Sequence, residues 1–139
     1  YEGQKEEVPI EDEIRYLENY IELHRMRYHK DIDIVFDHNI EVEGIKIMPL
    51  LLIILLENAF KHGVENLIQN PFVHVQLRVD ENDLYFEIKN NFDEKLPKGE
   101  GGIGLKNLRR RLELVYPQKH QLSFTKEEDT YQAVLTLQL

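Results

Sequence analysis

The 139-residue sequence predicts an α+β fold, a two-layer sandwich of helices on a mostly antiparallel sheet. Three observations predict it. Two pairs of alternating segments, 73–79 with 84–88 and 121–125 with 131–137, read as hairpins. An apolar run from Met48 to Leu56 continues into polar Glu57-Asn58 and ends at Gly63, the profile of a buried helix. Two further segments, 11–28 and 105–116, carry apolar residues at helical spacing.

Along the chain, Ile14, Leu17, Ile21 and Met26 define the first helix. Ile32, Val35 and Phe36 suggest a strand ending near Asn39-Ile40. Pro49 suits a first helical turn and Gly63 a position just past the last one. Val73, Val75, Leu77 and Val79 alternate with polar residues, as do Leu84, Phe86 and Ile88, across the polar turn Asp80-Glu81-Asn82-Asp83. Residues 90–104 read as an irregular glycine-rich loop. Leu105, Leu108, Leu112 and Val115 share a helical face that Pro117 stops, and the closing hairpin turns near Glu127-Glu128-Asp129.

The net charge of −9 opposes nucleic-acid phosphates and excludes duplex DNA or RNA as the default partner. It also repels free nucleotide, so a nucleotide site here needs local cations, backbone amides or a metal ion. With no cysteine there is neither a disulfide framework nor a thiolate metal site. The longest apolar run falls well short of the roughly 20 residues of a membrane helix, so no membrane contact is expected of this segment.

Three places offer chemistry. At the end of the second helix Glu57, Asn58, Lys61 and His62 share an arc of roughly 140° at 100° per residue; an i,i+4 pair on a solvated last turn accounts for them equally well. Four of the seven glycines fall within 99–104, directly before a helix. That is a flexible loop, or a close approach of backbone amides to phosphate. No GxxxxGK[ST] or strand-borne GxGxxG accompanies it. Asn90-Asn91 ends an alternating strand, as a plain turn or as amides aimed into a pocket.

Pro49-Leu50-Leu51-Leu52 followed by Glu57-Asn58-Ala59-Phe60-Lys61-His62-Gly63 resembles the N box of the LytS-type sensor histidine kinases. Gly102-Ile103-Gly104-Leu105-Lys106-Asn107, then Arg111-Leu112 and Tyr116-Pro117, resembles that family's second glycine box and the helix after it. Val8-Pro9-Ile10-Glu11-Asp12-Glu13 through Tyr20 and Arg27 is similar to the segment joining the phosphoacceptor region to the catalytic domain. The resemblance implies the Bergerat ATP-binding fold of the GHKL superfamily, with residues 1–30 a linker helix from the phosphoacceptor region and 31–139 the ATP-binding catalytic domain.

By the same resemblance Asn58 would coordinate Mg²⁺, Lys61 would contact phosphate, and His62 would lie beside adenine or ribose. Asn90 would accept from the adenine amino group. Gly102, Ile103, Gly104 and Leu105 would lie against the nucleotide, under a lid of residues 92–100. Glu57 is the nearest carboxylate, with an orienting role toward metal-bound water or the acceptor histidine.

Two departures from the pattern stand out. Where the superfamily has Asp-x-Gly-x-Gly, this chain has Asn90-Asn91-Phe92-Asp93-Glu94, so the base-reading acceptor lacks a charge. Where its ATPases place a water-activating glutamate, this chain has Ile54, which cannot act as a base and favours transfer to a partner histidine over hydrolysis. None of His24, His29, His38, His62, His74 or His120 lies in a Pro-His-Phe-type acceptor context. Arg109 and Arg110 read as a solvated face.

The resemblance thus implies the catalytic domain of a two-component histidine kinase that uses Mg-ATP. Its γ-phosphoryl acceptor would be a histidine of the same, dimeric protein outside this chain, and then a response regulator. The domain would be the cytoplasmic part of an inner-membrane protein. The alternative is a catalytically decayed nucleotide-binding scaffold, a pseudokinase module.

Overall fold

The computed structural model describes residues 6–27, 32–63, 70–92 and 102–139. In chain order these form β1 (Val8–Pro9), α1 (Ile10–Arg27), β2 (Asp33–Ile40), β3 (Lys46–Ile47), α2 (Leu52–His62), β4 (Phe72–Val79), β5 (Asp83–Asn91), α3 (Gly102–Val115), β6 (His120–Glu127) and β7 (Thr130–Gln138). A five-stranded sheet runs β2-β4-β5-β7-β6, and β1 pairs with β3 as a separate antiparallel ribbon. Within the main sheet β2 and β4 are parallel and the other three pairs antiparallel. This is the mixed, mostly antiparallel two-layer sandwich that the sequence predicts.

Strand alternation builds the core on one face of the sheet. Val73, Val75, Leu77 and Val79 of β4, Leu84, Phe86 and Ile88 of β5, and Ala133, Leu135 and Leu137 of β7 are all buried. His74, Arg78 and Lys89, out of phase with them, are exposed. The helices cover the apolar face. Helix α1 buries Ile10, Ile14, Leu17 and Ile21, with acidic Glu11, Asp12 and Glu13 in its first turn and basic His24, Arg25 and Arg27 in its last, both suited to the helix dipole. Its buried face joins the same core as the sheet. Helix α2 is the hub, burying Leu52, Ile53, Leu55, Leu56, Ala59 and Phe60.

The start of α2 corrects the sequence reading. Pro49 lies before the helix, not in its first turn, because Leu50 takes a left-handed φ of +66° and the helix begins at Leu52. A non-glycine residue there costs about 1–2 kcal/mol, and tertiary hydrogen bonds hold it. The Leu50 N–H donates to Glu13 Oε1 at 3.0 Å. Arg111 donates Nη2 to Pro49 O at 2.8 Å and Nη1 to Leu50 O at 3.2 Å. The Met48 N–H donates to the Tyr116 hydroxyl at 3.1 Å. Residues from α1 and from α3 and its end thus fix the entry to α2.

Two other boundaries move. Strand β5 runs on through Asn90 and Asn91, so these are sheet residues and not the start of a loop. Helix α3 starts at Gly102, which places Gly102, Ile103 and Gly104 in its first turn rather than ahead of it. Gly102 opens the helix at φ +49°, a conformation that favours glycine. The expected lid lies almost wholly outside the described residues, as do Gly99, Gly101 and His29; of the lid only Phe92 is described, and it is buried.

Candidate functional site

The in-phase residues of β5, β7 and β6 turn polar at the last rung, where β4 and β2 still present Val73 and Ile34. Asn90 follows Leu84, Phe86 and Ile88 on the core face of β5, pairs with Tyr131 of β7, and Tyr131 in turn pairs with Lys126 of β6. Above this rung stand the last turns of α2 and the first turn of α3. The fold therefore brings together, at one end of the sheet, the two segments that carry the sequence motifs.

Asn90 is 1% exposed. Its Nδ2 donates to the Asn91 carbonyl at 3.1 Å, which turns Oδ1, the acceptor end, the other way. Gly63 ends α2 directly over this amide. A Cβ at Gly63 would come within 2.5 Å of Asn90 Nδ2 and 2.8 Å of the Asn91 carbonyl oxygen, so only glycine allows the approach. Asn91 fixes the strand entry, with Oδ1 accepting from the Phe72 N–H at 3.0 Å and Nδ2 donating to Asn70 O at 2.8 Å.

On α2, Glu57 and Lys61 are exposed while Asn58 and His62 are half-buried. The Asn58 side chain lies beside the Tyr131 hydroxyl. Burial pushes the Tyr131 phenol pKa up, and the Asn58 amide and the Arg109 charge partly oppose this. Ile54 faces α3: a Cβ on Gly104 would lie 3.7 Å from Ile54 Cγ2, an ordinary contact. The position of the superfamily's hydrolytic glutamate is thus an apolar helix–helix contact.

Beside the first turn of α3 lies a cleft of about 770 Å³ whose walls include Gly102, Ile103, Leu105, Lys106, Arg109, Phe124, Lys126 and Tyr131. Arg109 lies over the Phe124 ring at 5.4 Å, and Lys126 over Phe92 at 5.9 Å. Arg109 is therefore more than part of a solvated face: it borders the cleft, because its position on α3 is in register with Gly102 and Lys106. Three cations gathered here supply the local positive field that a net charge of −9 demands of an anion site.

Of the expected site residues, Gly102, Ile103 and Leu105 line the cleft, and Asn58 reaches its Tyr131 wall. Asn90 sits on the same rung beneath the α2 cap. Lys61, His62 and Glu57 stand on the final turns of α2 without lining the cleft. Sequence reasoning missed Tyr131, Lys126 and Phe124. The signal was present: Tyr131 is in phase with Ala133, Leu135 and Leu137, as Asn90 is with Ile88.

No family model matches the chain. It is 27% identical over 143 aligned positions to the sensor protein LytS of Staphylococcus saprophyticus, covering 94% of this chain and 24% of that protein. It is 25% identical over 133 positions to the sensor histidine kinase BtsS of Escherichia coli strain K12, again 24% of that protein. The chain thus spans less than a quarter of the length of these relatives. Among solved structures, the catalytic domain of histidine kinase ThkA superposes with a TM-score of 0.67 at 16% identity, covering 96% of this chain and 94% of that one.

The chain has the fold of a histidine kinase catalytic domain. The likeness to the LytS-type sensor kinases runs over nearly all of it. The mycobacterial sensor histidine kinase MprB agrees in fold, with a TM-score of 0.63 at 14% identity over 96% of this chain and 97% of that one. ThkA has also been solved in complex with the response regulator protein TrrA; that structure matches with a TM-score of 0.61 at 15% identity, over 96% of this chain and 41% of that one. Among the described residues no helix is long and apolar enough to cross a membrane.

Proposed function

We propose that this chain is the ATP-binding catalytic domain of a two-component sensor histidine kinase, using Mg-ATP to phosphorylate a histidine outside residues 1–139. The observation that carries this reading is the junction of Asn58 on α2 with the polar rung of the sheet, beside the first turn of α3 and its basic cleft.

The residues fit the group they would hold. Asn90 is buried with its acceptor oxygen turned away from its backbone bond, which suits the exocyclic amino group of adenine. Asn58 offers one neutral carbonyl oxygen, the kind of single protein ligand Mg²⁺ takes when substrate phosphates and water complete its shell. The first turn of α3 offers amides that have no partner within the helix, and a Cβ at Gly102 would meet nothing within 4 Å. Lys61 at the end of α2 adds a cation, and His62 is half-buried beside it.

Bound Mg-ATP supplies the phosphoryl group and its activation. The chain's own residues bind, orient and neutralise, which is most of what phosphoryl transfer asks of a protein. Ile54 keeps a carboxylate base away from the site, consistent with transfer to a side chain rather than to water. Glu57 has no geometry here beyond exposure on the same helix, and its orienting role rests on the motif.

The reading extends to the whole protein. Helix α1 would connect a phosphoacceptor segment, dimeric in the full-length protein, to the catalytic domain of 31–139, while packing into its core. A response regulator would receive the phosphoryl group next, as the ThkA complex suggests by analogy. The domain would face the cytoplasm as part of an inner-membrane protein.

Thermal unfolding with ATP, ADP and GTP, each with and without Mg²⁺, tests the pocket. A nucleotide at about 100 times its dissociation constant adds about 2.7 kcal/mol, a rise of roughly 5–10 °C for a domain of this size. A Mg-dependent rise with adenine nucleotides, larger than with GTP, is expected. No rise at saturating nucleotide overturns the reading. Label transferred from ATP to a fragment bearing the acceptor histidine separates a working kinase from a decayed scaffold.

A further inference from the structure

The ladder between β4 and β5 ends on a side chain. Its register sets Val79 against Leu84 and Val73 against Asn90. One step past the first pair, the Asp80 N–H donates to the Asp83 carbonyl at 3.0 Å. Hydrogen-bonded pairs of an antiparallel ladder recur at every second residue, so at the far end the Phe72 N–H falls due to the Asn91 carbonyl. It goes instead to Asn91 Oδ1, at 3.0 Å. Asn91 Nδ2 donates to the carbonyl of Asn70, a residue left-handed at φ +50°, at 2.8 Å. Both ends of the Asn91 amide are thus engaged, which fixes its orientation. The Asn91 carbonyl is released from the ladder, and it accepts from Asn90 Nδ2 at 3.1 Å.

That bond decides which way Asn90 faces. A carbonyl oxygen can only accept, so the end of Asn90 beside it is the donor end, and Oδ1 is the end left for a ligand. A carboxamide free to turn over would accept from a 6-amino purine or donate to a 6-oxo purine. Held this way, Asn90 offers an acceptor alone. Asn90 is 1% exposed, and two acceptors set against each other at a buried position are costly.

We infer that Asn91 sets the base selectivity of the nucleotide site: its side chain takes over the Phe72 N–H, which frees its own carbonyl to hold Asn90 with the acceptor end toward the base. The site then prefers a 6-amino purine nucleotide to a 6-oxo one. Asn91 acts through Asn90 and is a positioning residue. The inference rests on the reading of Asn90 as the base-contacting residue given above.

The test compares, by calorimetry on this chain in excess Mg²⁺, the affinities for ATP and for inosine triphosphate, whose base carries a 6-oxo group in place of the amino group. The wild type should prefer ATP. Asn91→Ala returns the Phe72 N–H to the backbone carbonyl and should lower that preference about tenfold, the worth of one hydrogen bond. Asn91→Asp keeps an acceptor for Phe72 and should retain the preference. In Asn90→Asp neither end can donate, so adding Asn91→Ala should leave the ratio unchanged. A plain structural role for Asn91 would weaken both nucleotides alike and leave the ratio of the single Asn91→Ala variant at the wild-type value; that result overturns the inference. So does a loss in Asn91→Asp as full as in Asn91→Ala.

A second measurement needs no variant to fold. In a nitrogen-15 spectrum of the unliganded wild type, the Asn90 side-chain amide protons should exchange with water more slowly than those of the exposed Asn39 and Asn82. Equal rates would also overturn the inference. If the wild type shows no preference, or Asn90→Ala keeps it, the base-reading role of Asn90 falls and this inference with it. If Asn90→Ala loses the preference and Asn91→Ala keeps it, only the role of Asn91 falls.

Discussion

The Glu13 carboxylate on α1 accepts the Leu50 N–H at 3.0 Å, tying the first helix to the left-handed residue that precedes α2. Glu13 is 5% exposed. Burial raises its pKa above the ordinary carboxylate value; the Leu50 hydrogen bond and the Arg111 charge act against this, and Asp12 adds to it. The folded state therefore holds the Glu13 proton more tightly than the unfolded chain does. Its contribution is complete below the unfolded value of 4.5 and is lost as pH rises through the higher folded value.

Glu13→Gln keeps an acceptor for Leu50 without a titrating group. Its stability should match or exceed that of the wild type at pH 7, with the wild type gaining on it as pH falls toward the ordinary carboxylate range. Glu13→Ala removes the acceptor of the Leu50 N–H and should cost about 1 kcal/mol. Urea unfolding midpoints across pH 4 to 8, roughly bracketing that range, check both. A wild-type profile parallel to that of Glu13→Gln would show that the carboxyl does not titrate differently in the two states.

Arg111 donates to two consecutive carbonyls, Pro49 and Leu50, and its planar fork suits such a pair better than lysine does. Arg111→Ala should destabilise by about 1–3 kcal/mol, the range for charge-assisted hydrogen bonds. Arg111→Lys should recover only part of it. Equal stability of the three proteins by thermal unfolding would mean that the α2 entry is held by Glu13 and Tyr116 alone.

The two glycines that flank the site should respond in opposite ways. Gly63→Ala forces a Cβ within 2.8 Å of backbone oxygens at Ala59 and Asn91 and should cost about 1–3 kcal/mol as overpacking. At Gly104 an added Cβ meets only Ile54, at 3.7 Å, so Gly104→Ala should change stability by no more than about 1 kcal/mol while nucleotide affinity falls. Thermal midpoints and nucleotide titration on both variants separate the two effects.

Asn58→Ala should abolish Mg-dependent ATP binding and leave the fold intact, since alanine is the better helix former and the site is half-buried. A mutant that binds Mg-ATP as well as the wild type would remove Asn58 from the metal site.

What was legible in the sequence was periodic. The alternation at 73–79, 84–88 and 131–137, and the spacing of Ile14, Leu17 and Ile21, translate directly into buried faces. What was not legible depends on partners distant in sequence. Leu50 leaves the helical region because Glu13 and Arg111 hold it there, so Pro49 misled as a helix start. Strands β1 and β3 have two residues each, too short for any period. The glycines at 102 and 104 suggest a loop by composition, yet the backbone there is already helical. Asn58 was legible as a motif residue, whereas its place beside Tyr131 required the register of β5 with β7 and the placement of α2 above it.

The parallel pairing of β2 with β4 has a consequence for how the chain assembles. The two hairpins close through short turns, but among the described residues β2 has no main-sheet neighbour other than β4, which follows α2 in the chain. During synthesis β2 leaves the ribosome before β4 and must wait for residues 72–79 before it has an edge to join. Long-range pairings of this kind are intrinsically slow. Pulsed hydrogen exchange during refolding should therefore find the amides of β5 and β7 protected before those of β2.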